Sequence, residues 1–171
     1  MTMSSRSIKI EIPDNPEWIA RVKEKAFTNA VSYGSCTQSI LSAFMDEFGI
    51  DDPVLMRSAG AMHVGMLTSL TCGIHSAAMM ILGLVMGRED PAQGHDGIIL
   101  IMEPGQLLMK RLNQRLGGHN CLDLTGTDFT DLDQAIAFQA STEAEKCLYR
   151  MRDGAEEIAR FLDDLKRNKE L

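Results

Sequence analysis

The sequence predicts an all-α protein, folded as a compact bundle of about five to seven helices. Aromatic residues make up only 5% of the 171 residues, whereas there are 12 methionines, so Leu, Ile, Met and Ala must fill the core. Such a core favours helices over sheets. Apolar residues at helical spacing and suitable capping residues point the same way. We expect an N-terminal arm over residues 1–13 and a single helical four-cysteine domain over residues 14–171.

The first two helices are marked by the residues at their ends. Asn15 can cap a helix that has Pro16 at its first position and runs to about residue 32. A second helix is predicted over about residues 36–48, because apolar side chains recur there at helical spacing and Gly49 follows the last of them.

The middle of the chain is predicted to hold a short helix, an irregular segment and an apolar helix. The short helix begins at Pro53 after an aspartate cap, and glycines interrupt the pattern over residues 60–70. The apolar helix runs from about residue 72 to 85 and is stopped by Gly87. Its most apolar stretch, 74–86, is shorter than the roughly 20 residues that a membrane span needs, so we expect a buried core helix.

The segment after this helix can be interpreted in two ways. Residues 98–101, Ile-Ile-Leu-Ile, could form a buried strand or the first turn of a helix. Pro104 suits the first position of a helix over about residues 103–116, which two glycines would end. A loop that holds Cys121 and a short helix over about residues 131–138 complete this part of the chain.

The last helix carries the clearest signal, since Thr142 and Glu145 form a capping box. Behind this cap, apolar residues alternate at spacings of four and three, which is typical of an a/d seam. The seam comprises Ala144, Leu148, Met151, Ala155, Ile158, Leu162 and Leu165. It can pack on the core of its own domain, which we favour, or form the contact between two copies in a homodimer.

Charge and composition exclude several classes of function. The net charge of −7 argues against nucleic acid, which needs a basic surface, and against anionic membranes. Residues 1–13 hold no apolar run of the kind that a signal peptide needs, so we expect a cytoplasmic protein. Structural disulfides would be unusual in that reducing compartment. The function is therefore expected to depend on free cysteines.

The four cysteines stand in positions that suit ligands or redox thiols. Cys36 and Cys72 start predicted helices, where the helix dipole and free N–H groups would stabilise a thiolate. Cys121 lies in a polar loop, and Cys147 lies beside the seam of the last helix, where it could face a site between helices. Buried, inert packing is the ordinary role of a single cysteine, but the set of four argues against it.

The spacing of the cysteines argues against some kinds of metal or redox site and leaves others open. Their separations are 36, 49 and 26 residues, and there is no Cys-x-x-Cys pair of the kind that zinc ribbons and thioredoxin-like proteins use. Four thiols from separate elements can still converge, and a converged set suits an iron–sulfur cluster of undetermined type. Two alternatives stay open: a metal-free thiol–disulfide protein, and an interaction module stabilised by zinc on four cysteines.

Three further residues are candidates for contact with the same cofactor. Gly73 follows Cys72, and a glycine lets the backbone approach a cofactor closely. His75 lies three residues after Cys72 on the same helix face, where it could tune or ligate a metal or simply form a helix hydrogen bond. His119 lies two residues before Cys121, in a loop.

Several segments resemble a family of redox-active proteins named for its pattern of Cys, Cys-Gly-Ala-x-x-Gly, Cys and Cys. The resemblance rests on residues 35–38 with 47–51, on 72–77, on 121–128 and on Cys147, and it extends over roughly residues 30–160. The order, spacing and flanking residues of these segments make the resemblance fairly specific. This chain departs from the pattern where Ile74 and Ala77 replace the family's Ala and final Gly.

The resemblance implies a small helical protein that uses all four cysteines, Cys36, Cys72, Cys121 and Cys147, for a redox centre. The family is also similar to the non-haem part of split-Soret cytochromes, which implies an iron–sulfur cluster held by these thiols. The expected role is electron transfer with a redox partner protein. A second copy of the chain is expected as a partner from the seam of the last helix alone. An enzymatic role is left open, and would be that of an oxidoreductase component.

Overall fold

The computed structural model describes residues 10–169, and all regular secondary structure in that range is helical. Eight α-helices are present there, which confirms the all-α class and exceeds the expected five to seven. The helices are α1 (Glu17–Tyr33), α2 (Cys36–Phe48), α3 (Pro53–Ser58), α4 (Gly73–Met86), α5 (Asp96–Leu116), α6 (Cys121–Thr125), α7 (Leu132–Gln139) and α8 (Thr142–Arg167).

The five long helices form a closed ring around one core. Helix α1 packs on α2 and α8, α2 packs on α4, and α5 closes the ring by packing on both α4 and α8. Trp18, Phe44 and Phe161 are the largest side chains fully buried inside it. The number of helices rises to eight because the short α3, α6 and α7 lie outside this ring.

The seam of α8 packs against other helices of the same chain. Its residues Met151, Ala155, Ile158, Leu162 and Leu165 are all buried in the core, facing the neighbouring helices of the ring. The favoured interpretation of the seam, packing on its own domain, is therefore confirmed. A homodimer formed through these residues would need them to leave the core.

Helix α5 begins earlier than expected, which corrects two predictions. It starts at Asp96 rather than near residue 103, so Pro104 lies inside the helix and not at its first position. Residues 98–101 are helical, and Ile99 and Leu100 are 61% and 69% exposed, so the buried strand is wrong. An acidic residue in the first turn favours this start, and the proline removes only one helical hydrogen bond.

The segment between α3 and α4 is irregular, as the sequence suggested. Four residues other than glycine, Val64, Met66, Leu67 and Ser69, adopt the left-handed backbone conformation, with φ between 43° and 63°. The chain then pairs with the loop before α6, because Cys72 N–H donates to His119 O at 3.0 Å and Cys121 N–H donates to Leu70 O at 2.6 Å. This pairing places the starts of α4 and α6 side by side.

Residues 1–9 of the expected arm lie outside the described range, and residues 10–13 have no regular structure. Ile12 is buried against the core, and Lys166 of α8 donates a hydrogen bond to its carbonyl oxygen. None of the helices within residues 10–169 combines the length and the apolar character needed to cross a bilayer.

Candidate redox site

The four cysteines line one cavity of about 470 Å³. Cys36 and Cys121 are the first residues of α2 and α6, Cys72 caps the N-terminus of α4, and Cys147 lies in the second turn of α8. The sequence placed each cysteine separately, and the ring of helices brings them to the same space. Four thiols converge on a single cavity.

The turn before α2 sets the position of Cys36. Gly34 ends α1 in the left-handed conformation at φ 66°, and Ser35 caps α2 by accepting a hydrogen bond from Gln38 N–H. At the start of α2, the Thr37 hydroxyl donates a hydrogen bond to the Met62 carbonyl oxygen at 2.9 Å. This bond holds the irregular segment against α2.

Backbone N–H groups favour negative charge on two of the thiols. Hydrogen bonding by the N–H groups of Val64 and Thr37 lowers the pKa of Cys36, and that of Ile74 lowers the pKa of Cys72, in each case against the larger effect of burial. Hydrogen bonds of this kind stabilise negative charge on a thiolate and tune the potential of a cluster that it binds. The left-handed conformation of Val64 is part of the segment that delivers its N–H group.

Gly73 lies against the Cys36 sulfur. A Cβ atom at this position would overlap the Cys36 sulfur and would lie 2.7 Å from Thr37 Oγ1. The position therefore accepts no side chain without movement of Cys36. Gly73 was considered a site residue from the sequence. In the structure, the absence of a side chain at Gly73 leaves room for the Cys36 thiol.

Burial raises the pKa of all four thiols in the metal-free protein. Burial and the neighbouring Cys36 raise the pKa of Cys121 to about 11, and burial, Cys36 and Cys121 raise that of Cys147 to about 12. The pKa values of Cys36 and Cys72 are raised by the same main cause. Burial therefore outweighs any stabilisation of the thiolate by the helix N-termini in the metal-free protein.

One cation lies at the cavity. Arg150 lines it and lowers the pKa of both Cys121 and Cys147 by its charge, against the larger effect of burial. Its guanidinium is 3.4 Å from Glu143 Oε2, and its side chain is 23% exposed. Sequence reasoning missed this residue, although its place three residues after Cys147 puts both on one helix face.

The two candidate histidines pair with each other outside the thiol cavity. His75 is fully buried, its Nε2 lies 2.9 Å from Asn113 Oδ1, and its ring centroid lies 4.6 Å from that of His119. Burial and the neighbouring His119 lower the pKa of His75 to about 4, so its ring is neutral at physiological pH. Neither histidine lines the cavity that holds the cysteines. The structure thus brings Gly73 to the thiols and leaves His75 and His119 apart from them.

The cavity also has an apolar wall that local sequence patterns could not identify. The rings of Phe129 and Phe138 meet edge to face with centroids 4.9 Å apart, and both line the cavity with Val31 and Leu148. These residues come from three different helices and a loop, so no local spacing connects them. Within residues 10–169, no group of three or more His, Cys, Asp or Glu side chains is close enough to hold a single metal ion.

The fold and the site together define the class of this protein. It is a helical four-cysteine protein, in which a ring of α-helices brings four cysteines to one cavity. The chain belongs to the family described as "Putative redox-active protein (C_GCAxxG_C_C)", whose model matches residues 34–161 and so includes all four cysteines. No curated protein and no solved structure matches the chain significantly. The match confirms the resemblance to this family and supports a redox role, while the likeness to split-Soret cytochromes stays a prediction.

The chain differs from the family pattern around its second cysteine. The family's pattern is Gly-Cys-Ala-x-x-Gly, which corrects the Cys-Gly-Ala-x-x-Gly order expected above, so Thr71, Gly73 and Ser76 stand where the family has Gly, Ala and the final Gly. The glycine after the cysteine is the one whose Cβ would overlap the Cys36 sulfur. The space that a small residue provides next to the thiols is therefore present in this chain.

Proposed function

We propose that this protein carries electrons on an iron–sulfur cluster held by Cys36, Cys72, Cys121 and Cys147. The observation that carries the proposal is the convergence of four thiols from four helices on one cavity. Cysteine thiolates are the usual ligands of such clusters, which supply one-electron transfer. A cytoplasmic location is part of the proposal, since a reducing compartment keeps the thiols free.

The shape of the thiol set favours a cluster over a single zinc ion. A structural zinc site needs four sulfur atoms about 2.3 Å from one point. The described side chains hold no such group for one ion, and the thiols surround a cavity of about 470 Å³. A cluster of several iron and sulfide ions occupies more space than one ion, so it suits thiols spaced around a cavity. A zinc-stabilised module is the weaker alternative.

The remaining cavity residues have roles that fit a buried, negatively charged centre. Backbone N–H groups of Val64 and Ile74 favour negative charge on the sulfurs of Cys36 and Cys72, and Arg150 offsets negative charge beside Cys121 and Cys147. The apolar wall with Phe129 and Phe138 limits the access of water. Because the free thiols have raised pKa values, loading the cavity must release protons, and loading is expected to improve as pH rises.

A metal-free dithiol is the second candidate, and one observation favours it. The Cys36 sulfur lies against Gly73, the residue that follows Cys72, so these two cysteines are neighbours. Exchange with an external disulfide would join the two sulfurs, and that disulfide would take up the two electrons and two protons to become two thiols. The other two thiols would then have no role in the reaction.

The test is purification without oxygen, followed by an ultraviolet–visible spectrum and by iron and acid-labile sulfide analysis. We expect brown protein with broad visible absorbance and with iron and sulfide in equal amounts. Each of the four Cys→Ser variants should lose iron and colour, whereas Gln139→Ala, a change in the same cavity wall, should keep both. Colourless, iron-free protein would exclude the cluster, and a thiol count with and without reductant would then test the dithiol.

A further inference from the structure

Helix α5 presents an apolar surface that nothing else in the described chain covers. Its exposed apolar residues range from 42% to 69% exposed, although a soluble monomer rarely leaves so many large apolar side chains together on one helix. They are Ile98, Ile99, Leu100, Met102 and Leu107. With Glu103 and Lys110 between and beside them, these residues form what we call the α5 surface.

A groove adjoins this surface. It has a volume of about 890 Å³, runs between α4 and α5, and has an apolar floor that includes Met79, Leu82 and Met109. Met102 and Lys110 belong both to the groove and to the α5 surface. Apolar side chains of a partner could therefore enter the groove while the partner's backbone lies along α5.

The charges on the α5 surface identify the partner. Glu103 and Lys110 are both exposed, and neither has an ion-pair partner among residues 10–169. They lie seven residues apart, which is nearly two full turns, so they project from the same side of the helix. One is negative and the other positive, so the surface is complementary to a copy of itself.

A two-fold axis midway between Glu103 and Lys110 would give each of these charges a partner of opposite sign. If two α5 helices lie antiparallel about this axis, Glu103 of each copy faces Lys110 of the other. Ile99 and Leu100 then lie at the level of Gln114 and Asn113 of the second copy, respectively, and both of those residues line the groove. Helix α5 has 21 residues and is about 30 Å long, so one contact spans both ion pairs and both apolar ends.

We propose that the protein is a homodimer built on antiparallel α5 helices, with two Glu103–Lys110 ion pairs between the copies. The contact leaves the thiol cavity open to a redox partner, because no residue of α5 lines that cavity. It also differs from a dimer through the seam of α8, which the core already occupies. The proposal depends on neither the cluster nor the dithiol.

The test is the solution mass of the full chain, measured by light scattering and by sedimentation equilibrium. The wild-type protein should have twice the chain mass of 18.9 kDa. Glu103→Lys and Lys110→Glu should each raise the dimer dissociation constant at least about tenfold, because each places two like charges opposite one another. The double variant Glu103→Lys/Lys110→Glu exchanges the charges and should restore the wild-type constant.

Two controls complete the experiment. Glu24→Lys makes the same charge change at an exposed position of α1 and should leave the dissociation constant unchanged. Leu100→Ser should weaken the dimer while the helical circular dichroism spectrum stays the same. A monomeric wild-type protein, single variants that dimerise as tightly as wild type, or a double variant that stays weakened would each overturn the proposal.

Discussion

At the scale of single residues, Gly73 controls the space around the thiols. Replacing Gly73 with Ala puts a Cβ on the Cys36 sulfur and close to Thr37 Oγ1, so we expect a loss of about 1–3 kcal/mol of folding free energy. Iron content should fall as well, because Cys36 must move. Urea denaturation and iron analysis would measure the two effects.

Gly83 provides a matched control for this substitution. It lies in the same helix, α4, and a Cβ there would meet nothing within 4 Å. Gly83→Ala should therefore stabilise the protein by up to about 1 kcal/mol, since alanine is the better helix former. If Gly73→Ala lowered the free energy of unfolding no more than Gly83→Ala does, the close approach to Cys36 would not affect stability.

Arg150 is expected to set the potential of the proposed cluster. Its positive charge beside Cys121 and Cys147 stabilises the reduced, more negative state. Arg150→Gln should therefore lower the midpoint potential, by roughly 50 mV for about 1 kcal/mol of lost attraction. A spectroelectrochemical titration would measure the shift.

The neighbouring Arg152 serves as the control for this charge. Arg152 pairs with Asp153 and does not line the thiol cavity, so Arg152→Gln should leave the potential almost unchanged. Equal shifts in the two variants would mean that the potential responds to net charge and not to the position of Arg150.

At the scale of elements, Gly154 allows α8 to pack closely on α4. A Cβ at Gly154 would overlap Ile74 Cγ2, so Gly154→Ala should cost about 1–3 kcal/mol. The cost should shrink in an Ile74→Ala background, because the atom that causes the overlap is gone. Thermal denaturation of the two single variants and the double variant gives the coupling energy, and simple additivity would contradict this packing argument.

The helices with clear end signals were predicted well from the sequence. Asp52 accepts hydrogen bonds from two N–H groups at the start of α3, and Gly49 ends α2 as expected. The cap of α8 is one residue earlier than expected, because Ser141, and not Thr142, accepts the hydrogen bond from Ala144 N–H. The start of α5 was not predicted, because a run of four apolar residues fits a strand and a helix equally well. Pro104 then suggested a helix start, whereas the helix continues through it.

At the scale of the whole molecule, the raised thiol pKa values make stability depend on pH. The unfolded chain loses its thiol protons near the ordinary pKa of 9.0, whereas Cys121 and Cys147 in the folded protein keep theirs to about 11 and 12. Above pH 9 the unfolded state therefore binds fewer protons, and the free energy of unfolding falls as pH rises. We expect a loss of roughly 1 kcal/mol per pH unit for each thiol.

This loss would be measured by urea denaturation of reduced, metal-free protein at pH 8, 9 and 10. Between pH 7 and 8 the thiols are protonated in both states, so they should contribute no slope there. A Cys121→Ser/Cys147→Ser variant lacks two of the titrating groups and should show a shallower decline above pH 9. An equal decline in the variant would assign the effect to other groups.

The convergence of the cysteines could not be predicted from local sequence, because it depends on the whole fold. Local sequence showed that Cys36 and Cys72 lie at helix starts, but only the order of helices around the ring brings them beside Cys147. The apolar wall of Phe129 and Phe138 has the same origin. The burial that raises the thiol pKa values is likewise a property of the assembled ring, and local sequence could not show it.

The contact between the start of α1 and the end of α8 allows the chain to be rearranged. Lys166 binds both the Ile12 carbonyl and the Asp14 carboxylate, so the two ends of the described fold lie next to each other. A circular permutant could join the stretch after α8 to the stretch before α1 and open the exposed loop between α4 and α5. Such a chain would present its cysteines in the order Cys121, Cys147, Cys36, Cys72 and should still build the same cavity.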